Sequence, residues 1–170
     1  MKKKCLIAAI WVLGIAICLS LMPWSRTISV QTTAYEYAMN QTDPLRTHEV
    51  IIKGKYYPSL WRNDRFEGTL SFSGMPETMG QTAQVEFYPA SNYVAVFYRN
   101  SEGYMTGSPG YLCANRDFTK FCFQRMDETD SSPGHWNPES GHVICPAPNW
   151  DAMQIMKNEI ERWKTPGGAS

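Results

Sequence analysis

Residues 48–72 read HEVIIKGKYYPSLWRNDRFEGTLSF, and this stretch decides the fold class. Its first part, residues 48–57, is rich in β-branched and aromatic residues and predicts a strand, with Gly54 as a candidate bulge. The second part alternates strictly, placing Phe66, Gly68, Leu70 and Phe72 on one side and Glu67, Thr69 and Ser71 on the other. Such alternation is typical of a strand with one face on a core and one face in water. The stretch therefore predicts two neighbouring strands of an antiparallel sheet.

Similar strand patterns continue toward the C-terminus. Turn-forming Pro, Gly, Asn and Asp residues separate predicted strands over 82–88, 93–99, 111–114 and 118–126. About seven short strands with frequent turns are typical of a small antiparallel sandwich or barrel.

The last strongly periodic segment, residues 149–164, predicts a helix. Asn149 follows Pro148 and can cap it. Apolar residues recur at three- and four-residue steps and form one stripe: Met153, Met156, Ile160 and Trp163. We expect this stripe to pack on the sheet or over an open barrel end.

The N-terminal run CLIAAIWVLGIAICLSLM, residues 5–22, contains no charged residue and follows Lys2, Lys3 and Lys4. Residues 5–24 are long enough for a membrane-spanning helix. The lysines place the N-terminus in the cytoplasm and the following domain outside it. The alternative is a signal peptide that is cleaved, which would make the protein secreted.

The sequence thus predicts a mainly β protein with an N-terminal transmembrane helix, a small antiparallel β-sandwich or barrel, and one C-terminal α-helix. The segments are a signal-anchor over residues 1–24, a membrane-proximal linker or first strand over 25–47, one extracytoplasmic β-rich domain over 48–164, and a flexible tail over 165–170.

Charge argues against nucleic acid as a partner. The whole chain balances 16 basic against 16 acidic residues, so without its three N-terminal lysines it is slightly acidic. Nucleic acid binding requires a large basic face, which this composition does not supply.

Three cysteines follow the apolar run: Cys113, Cys122 and Cys145. A hairpin turn near residues 115–117 would set Cys113 opposite Cys122, at a distance compatible with a disulfide. One residue of slip would put them on opposite faces. We therefore predict a Cys113–Cys122 disulfide, with Cys122–Cys145 or no disulfide as alternatives.

Potential chemistry concentrates in residues 135–145. His135, Glu139 and His142 are residue types that bind zinc, although their spacing matches no established zinc motif. Cys145 or Cys122 could also form a nucleophilic pair with His135, His142 or His48. These groups define the alternative function, an extracytoplasmic hydrolase that could use zinc.

Trp61 and Trp136 adjoin polar loops, where exposed aromatic rings suit sugars or peptides. The leading interpretation is a membrane-anchored extracytoplasmic domain that binds or scaffolds and uses no cofactor. Its expected partners are the membrane, through residues 5–24, and an envelope protein or a surface polymer.

Overall fold

The computed structural model describes residues 11–12, 14, 24–59, 63–88, 93–126 and 141–163. Most of this part of the chain lies in antiparallel strands, and a helix follows the last strand. The elements are β1 (Arg26–Ala38), β2 (Arg46–Tyr57), β3 (Asp64–Phe72), a 3₁₀ helix (Pro76–Thr78), β4 (Thr82–Phe87), β5 (Val94–Arg99), β6 (Met105–Gly107), β7 (Gly110–Ala114), β8 (Phe121–Arg125), β9 (His142–Cys145) and α1 (Trp150–Trp163).

The sheet closes on itself into an eight-stranded antiparallel barrel. Its strand order is β4-β3-β2-β1-β9-β8-β7-β5, and pairing between β4 and β5 completes the ring. The short strand β6 pairs with β5 beside the ring. Of the two predicted architectures, the barrel is confirmed and the sandwich is wrong, because a single closed sheet surrounds the core.

Two strands lie in segments where the sequence prediction was open or gave no strand. The segment that was expected to be a linker or a first strand contains β1, a 13-residue strand that pairs with both β2 and β9. Residues 142–145, for which the sequence analysis gave no strand, form β9. This four-residue strand is too short to show a sequence pattern, and its pairing with β1 and β8 holds it in the sheet.

Gly54 and Gly68 face each other where β2 pairs with β3. The predicted bulge at Gly54 is wrong, since the register runs unbroken from Lys53↔Thr69 through Lys55↔Glu67. A side chain at position 54 would instead come within 2.8 Å of the Gly68 Cα. Glycine at both positions lets the two strands approach closely.

Apolar side chains fill the barrel interior. The alternation predicted for β3 is confirmed, with Phe66, Leu70 and Phe72 fully buried. Phe118 lies in the β7–β8 turn at φ 59°, and its ring packs on Phe66 with ring centroids 4.7 Å apart. Eight strands enclose a space that side chains can fill, and here aromatic rings occupy much of it.

A second apolar layer lies outside the barrel wall, beneath α1. It contains Tyr37, Cys113, Cys122, Val143, Cys145, Ala147, Met153 and Ile160. Asn149 caps the helix as predicted, because its side-chain oxygen accepts a hydrogen bond from the Ala152 N–H at 2.9 Å. The part of the predicted stripe whose side chains are described packs on the wall and not over a barrel end, with Met153 and Ile160 buried.

Several predicted features fall wholly or largely outside the described residues. Of the predicted membrane segment, the structure describes Trp11, Val12, Gly14 and Trp24, and of the C-terminal tail it describes nothing. No helix in the part of the chain that the structure describes is long and apolar enough to cross a membrane.

Candidate functional site

Charged side chains replace the apolar interior at one end of the barrel. Every second residue of a strand faces inward, and each of these charged positions continues such a series. Glu36 follows the buried Ala34, His48 precedes Val50, Arg125 follows Phe123 and His142 precedes Ile144. We call the set at this end the rim cluster: Glu36, Arg46, His48, Arg125 and His142.

Glu36 is the centre of the rim cluster, and its side chain has no exposed surface. Oε2 accepts from Arg46 Nε and from His48 Nε2, both at 2.8 Å. Oε1 lies 2.6 Å from His142 Nδ1 and 3.6 Å from Arg125 Nη1. Four side chains from three strands therefore surround one carboxylate.

These contacts control the ionisation of Glu36. Burial by itself would raise the pKa of the Glu36 carboxyl. Hydrogen bonds from His48 and His142, together with the charges of Arg46 and His48, outweigh burial and lower the pKa from 4.5 to about 2. Glu36 is therefore a carboxylate at neutral pH.

His48 is held between two hydrogen-bond acceptors. Its Nδ1 lies 2.5 Å from the Ser73 carbonyl oxygen, and its Nε2 contacts the Glu36 carboxylate. Neither oxygen can donate a hydrogen bond, so both ring nitrogens must carry a proton to satisfy these contacts. The geometry thus fits the positively charged form of His48.

The rim cluster carries more positive than negative charge. The guanidinium groups of Arg46 and Arg125 oppose a single carboxylate. The side chains of Arg46, Arg125 and His142 are 51%, 32% and 24% exposed, whereas that of His48 is buried. The negative charge is therefore enclosed, and the cationic groups reach the surface.

A polar groove of about 450 Å³ adjoins the rim cluster and shares His48 with it. Its lining consists of Gln31, Thr32, Thr33, Thr47, His48, Glu49 and Ser73. Two contacts organise this lining: Gln31 donates to Glu49 Oε1 at 2.7 Å, and the Ser73 hydroxyl accepts from the Glu49 N–H at 2.7 Å. The groove presents hydroxyl, amide and carboxylate groups, which suit a hydroxyl-bearing ligand.

The structure describes only some of the residues that the sequence analysis proposed for a site. Trp61, His135, Trp136 and Glu139 lie outside the described residues. His142 is described, and it joins the rim cluster. Among the residues described, no group of three or more His, Cys, Asp or Glu is arranged to hold a metal ion.

The predicted nucleophilic pairs do not form among the described residues. His48 and His142 face the barrel interior, whereas Cys122 and Cys145 belong to the layer outside the wall. The wall itself separates these thiols from both imidazoles. His135, the remaining candidate partner, is not described.

The predicted register between Cys113 and Cys122 is confirmed, since the two residues pair directly across β7 and β8. Cys113, Cys122 and Cys145 are all buried thiols in this structure. The predicted Cys113–Cys122 disulfide stays a prediction.

Sequence reasoning missed Glu36, Arg46 and Arg125, and it considered His48 only as a partner for a cysteine. One signal was present: Glu36 stands between Ala34 and Ala38 on the apolar side of β1. If the series of inward-facing residues on β1 had been continued from Ala34 to a charged residue, Glu36 would have been identified as a candidate. No protein-family model, curated protein or solved structure matches this chain.

Proposed function

We propose that this protein is a membrane-anchored extracytoplasmic domain that binds an acidic surface polysaccharide at the barrel end. The observation that carries the proposal is the excess of partly exposed cationic groups in the rim cluster, next to a polar groove. Arginine pairs strongly with carboxylate or phosphate groups. Hydroxyl groups of the same polymer would bind in the groove.

The filled interior directs binding to the barrel end. Eight-stranded barrels can hold a small ligand inside, but large side chains such as Tyr98, Phe72 and Phe123 occupy this interior. An extended polymer needs an open surface of the kind that the rim cluster and groove offer.

The location is proposed from the sequence. The uncharged run after Lys2, Lys3 and Lys4 supports an anchor through residues 5–24, with the barrel outside the cytoplasm. Cleavage of that run would give a secreted protein with the same binding site.

Calorimetry with two oligosaccharides of equal length tests the proposal: tetragalacturonate, which is acidic, and maltotetraose, which is neutral. We expect the purified protein to bind tetragalacturonate more tightly and to lose affinity as salt rises. Arg125→Gln should weaken binding about tenfold, because a charge-assisted contact contributes about 1.5 kcal/mol.

Arg99→Gln is the matched control, since Arg99 is exposed on β5 and is not part of the rim cluster. It should bind like the wild type. Equal affinity for both oligosaccharides, or equal losses in the two variants, would contradict the proposal. Thermal unfolding of each variant checks that the barrel is intact.

One contact favours the alternative function, an extracytoplasmic hydrolase that could use zinc. Glu36 holds His142 through Nδ1, and a carboxylate in this position orients an imidazole for proton transfer or metal binding. Metal analysis of the purified protein, with oligosaccharide cleavage followed by mass spectrometry, tests it. Metal-free, unreactive protein would exclude the zinc hydrolase.

A further inference from the structure

Three cysteines form a row across adjacent strands on the outer face of the barrel wall. Cys113 on β7 pairs with Cys122 on β8. Phe123 on β8 pairs with Ile144 on β9, and continuing this register by one residue places Cys122 opposite Cys145. Cys122 is thus the middle of the row, with a possible disulfide partner on each side.

Backbone hydrogen bonding distinguishes the two partners. The Asn115 N–H donates to the Lys120 carbonyl at 3.0 Å, which marks that pair as hydrogen-bonded. Pair types alternate along antiparallel strands, so Cys113 and Cys122, two positions further on, are also a hydrogen-bonded pair. The N–H and C=O of one residue point to the same side, so Cys122 makes a non-hydrogen-bonded pair with Cys145.

The pairing of β9 with β1 leads independently to the same conclusion, that Cys145 and Cys122 are a non-hydrogen-bonded pair. The Met39 N–H donates to the Gly141 carbonyl at 3.0 Å. Alternation from there makes Tyr35 and Cys145 a hydrogen-bonded pair, and leaves Cys145 non-hydrogen-bonded toward β8. Side chains lie closer in non-hydrogen-bonded pairs, whose Cα atoms are about 4.5 Å apart instead of about 5.5 Å.

The thiols of Cys122 and Cys145 interact, as their close backbone pairing leads us to expect. The neighbouring Cys122 thiol and the Ala147 N–H lower the pKa of Cys145, although burial opposes them. The neighbouring Cys145 thiol and burial raise the pKa of Cys122. Cys145 is therefore the more readily ionised thiol of the two.

We infer that Cys122 and Cys145 are a thiol–disulfide site that a disulfide-containing oxidant such as oxidised glutathione converts to a disulfide, while Cys113 stays a thiol. The Cys145 thiolate attacks the oxidant and releases one thiolate. Cys122 then loses its proton and attacks the mixed disulfide at Cys145, releasing the second thiol. The two cysteines lose two electrons, and the oxidant gains them as two thiols.

The bond would join β8 to β9 beneath α1, next to Met153 in the same apolar layer. Buried under the helix, the thiols are most accessible while the chain folds. The disulfide would close the chain between residues 122 and 145 and raise the unfolding temperature of the oxidised protein.

The test is refolding of the full chain from reduced, denatured protein in detergent, in a buffer of reduced and oxidised glutathione. Remaining thiols are alkylated, and the non-reduced digest is read by mass spectrometry. We expect a cross-linked peptide containing Cys122 and Cys145, and alkylated Cys113. A Cys113–Cys122 cross-linked peptide, or alkylation of both Cys122 and Cys145, would overturn the inference.

Two variants keep the outcome interpretable. Cys113→Ser should still form the bond. Cys122→Ser should form no Cys113–Cys145 disulfide, because these two residues lie two strand spacings apart, about 9.5 Å, beyond disulfide range. Loss of the Cys122–Cys145 bond in Cys113→Ser, or a Cys113–Cys145 disulfide in Cys122→Ser, would contradict the row geometry.

Discussion

Glu36 sits where a charge is costly unless it is fully paired. A buried carboxylate loses its hydration, and contacts from Arg46, His48 and His142 replace that hydration. Those three side chains in turn depend on Glu36, because each of them contacts its carboxylate directly, at 2.6 to 2.8 Å. The residue therefore ties together β1, β2 and β9 through one side chain.

Glu36→Gln tests this dependence. Glutamine keeps the shape of the side chain but leaves the surrounding cations without a counter-charge, so we expect the free energy of unfolding to fall by about 3 kcal/mol. Urea unfolding measures the change. Glu67→Gln, at an exposed position on β3, is the control and should change stability by less than about 0.5 kcal/mol. Equal stability of both variants would show that the ion pairs at Glu36 contribute little.

At the scale of the element, the β2–β3 hairpin depends on two facing glycines. Gly54 and Gly68 pair directly, and added side chains would collide with the opposite backbone. Backbone atoms cannot rotate away as a flexible side chain can. The close approach of the two strands therefore requires glycine at both positions.

Gly54→Ala should destabilise the protein by about 2 kcal/mol, since the new methyl group overpacks a contact between backbones. Thr69→Ala, next to the glycine pair, is the matched control and should have a smaller effect. Thermal unfolding of both variants gives the comparison. A more stable Gly54→Ala protein would mean that the strands separate without cost.

The elements themselves were largely predictable from the sequence. Alternation in residues 66–72 and the spaced stripe in α1 reflect burial on one face, which a local pattern reveals. β9 was missed because four residues carry too little pattern. Gly54 was wrongly predicted to form a bulge, because the reason for a glycine there is Gly68 in the neighbouring strand, which the local sequence does not show.

At the scale of the whole molecule, the closure of the barrel could not be predicted from the sequence. It depends on β1 pairing with β9 and β4 pairing with β5, and contacts between distant segments leave no periodic signal. The rim cluster depends on the first of these pairings, because Glu36 on β1 and Arg125 on β8 meet only when β9 lies between their strands. The same limit explains why the candidate site was sought in residues 135–145.

Acid should destabilise the whole barrel, in part because it protonates Glu36. Its pKa is lower in the folded protein than in the unfolded chain, so its stabilising effect is present above pH 4.5 and is lost as pH falls toward 2. A shift of this size corresponds to about 3 kcal/mol. Asp117, whose pKa is also lowered through contacts that include hydrogen bonds from Thr119, adds to the same trend.

Urea unfolding at a series of pH values between 5 and 2 measures this loss. Glu36→Gln should show a shallower decline than the wild type, and the difference isolates Glu36 from Asp117. The Glu67→Gln control should follow the wild-type curve. Parallel curves for Glu36→Gln and wild type would contradict the assignment.

The direction of β1 determines how far the proposed binding site would stand from a bilayer that holds the proposed anchor. The strand starts at Arg26, just after the proposed anchor, and reaches Glu36 ten residues later. That length is about 33 Å of strand, or roughly 25 Å along the axis of a barrel with tilted strands. If the proposed anchor holds the chain and the barrel axis stands upright on the bilayer, the barrel would be a spacer that presents the arginines beyond the lipid headgroups, where the proposed polymer ligand would lie.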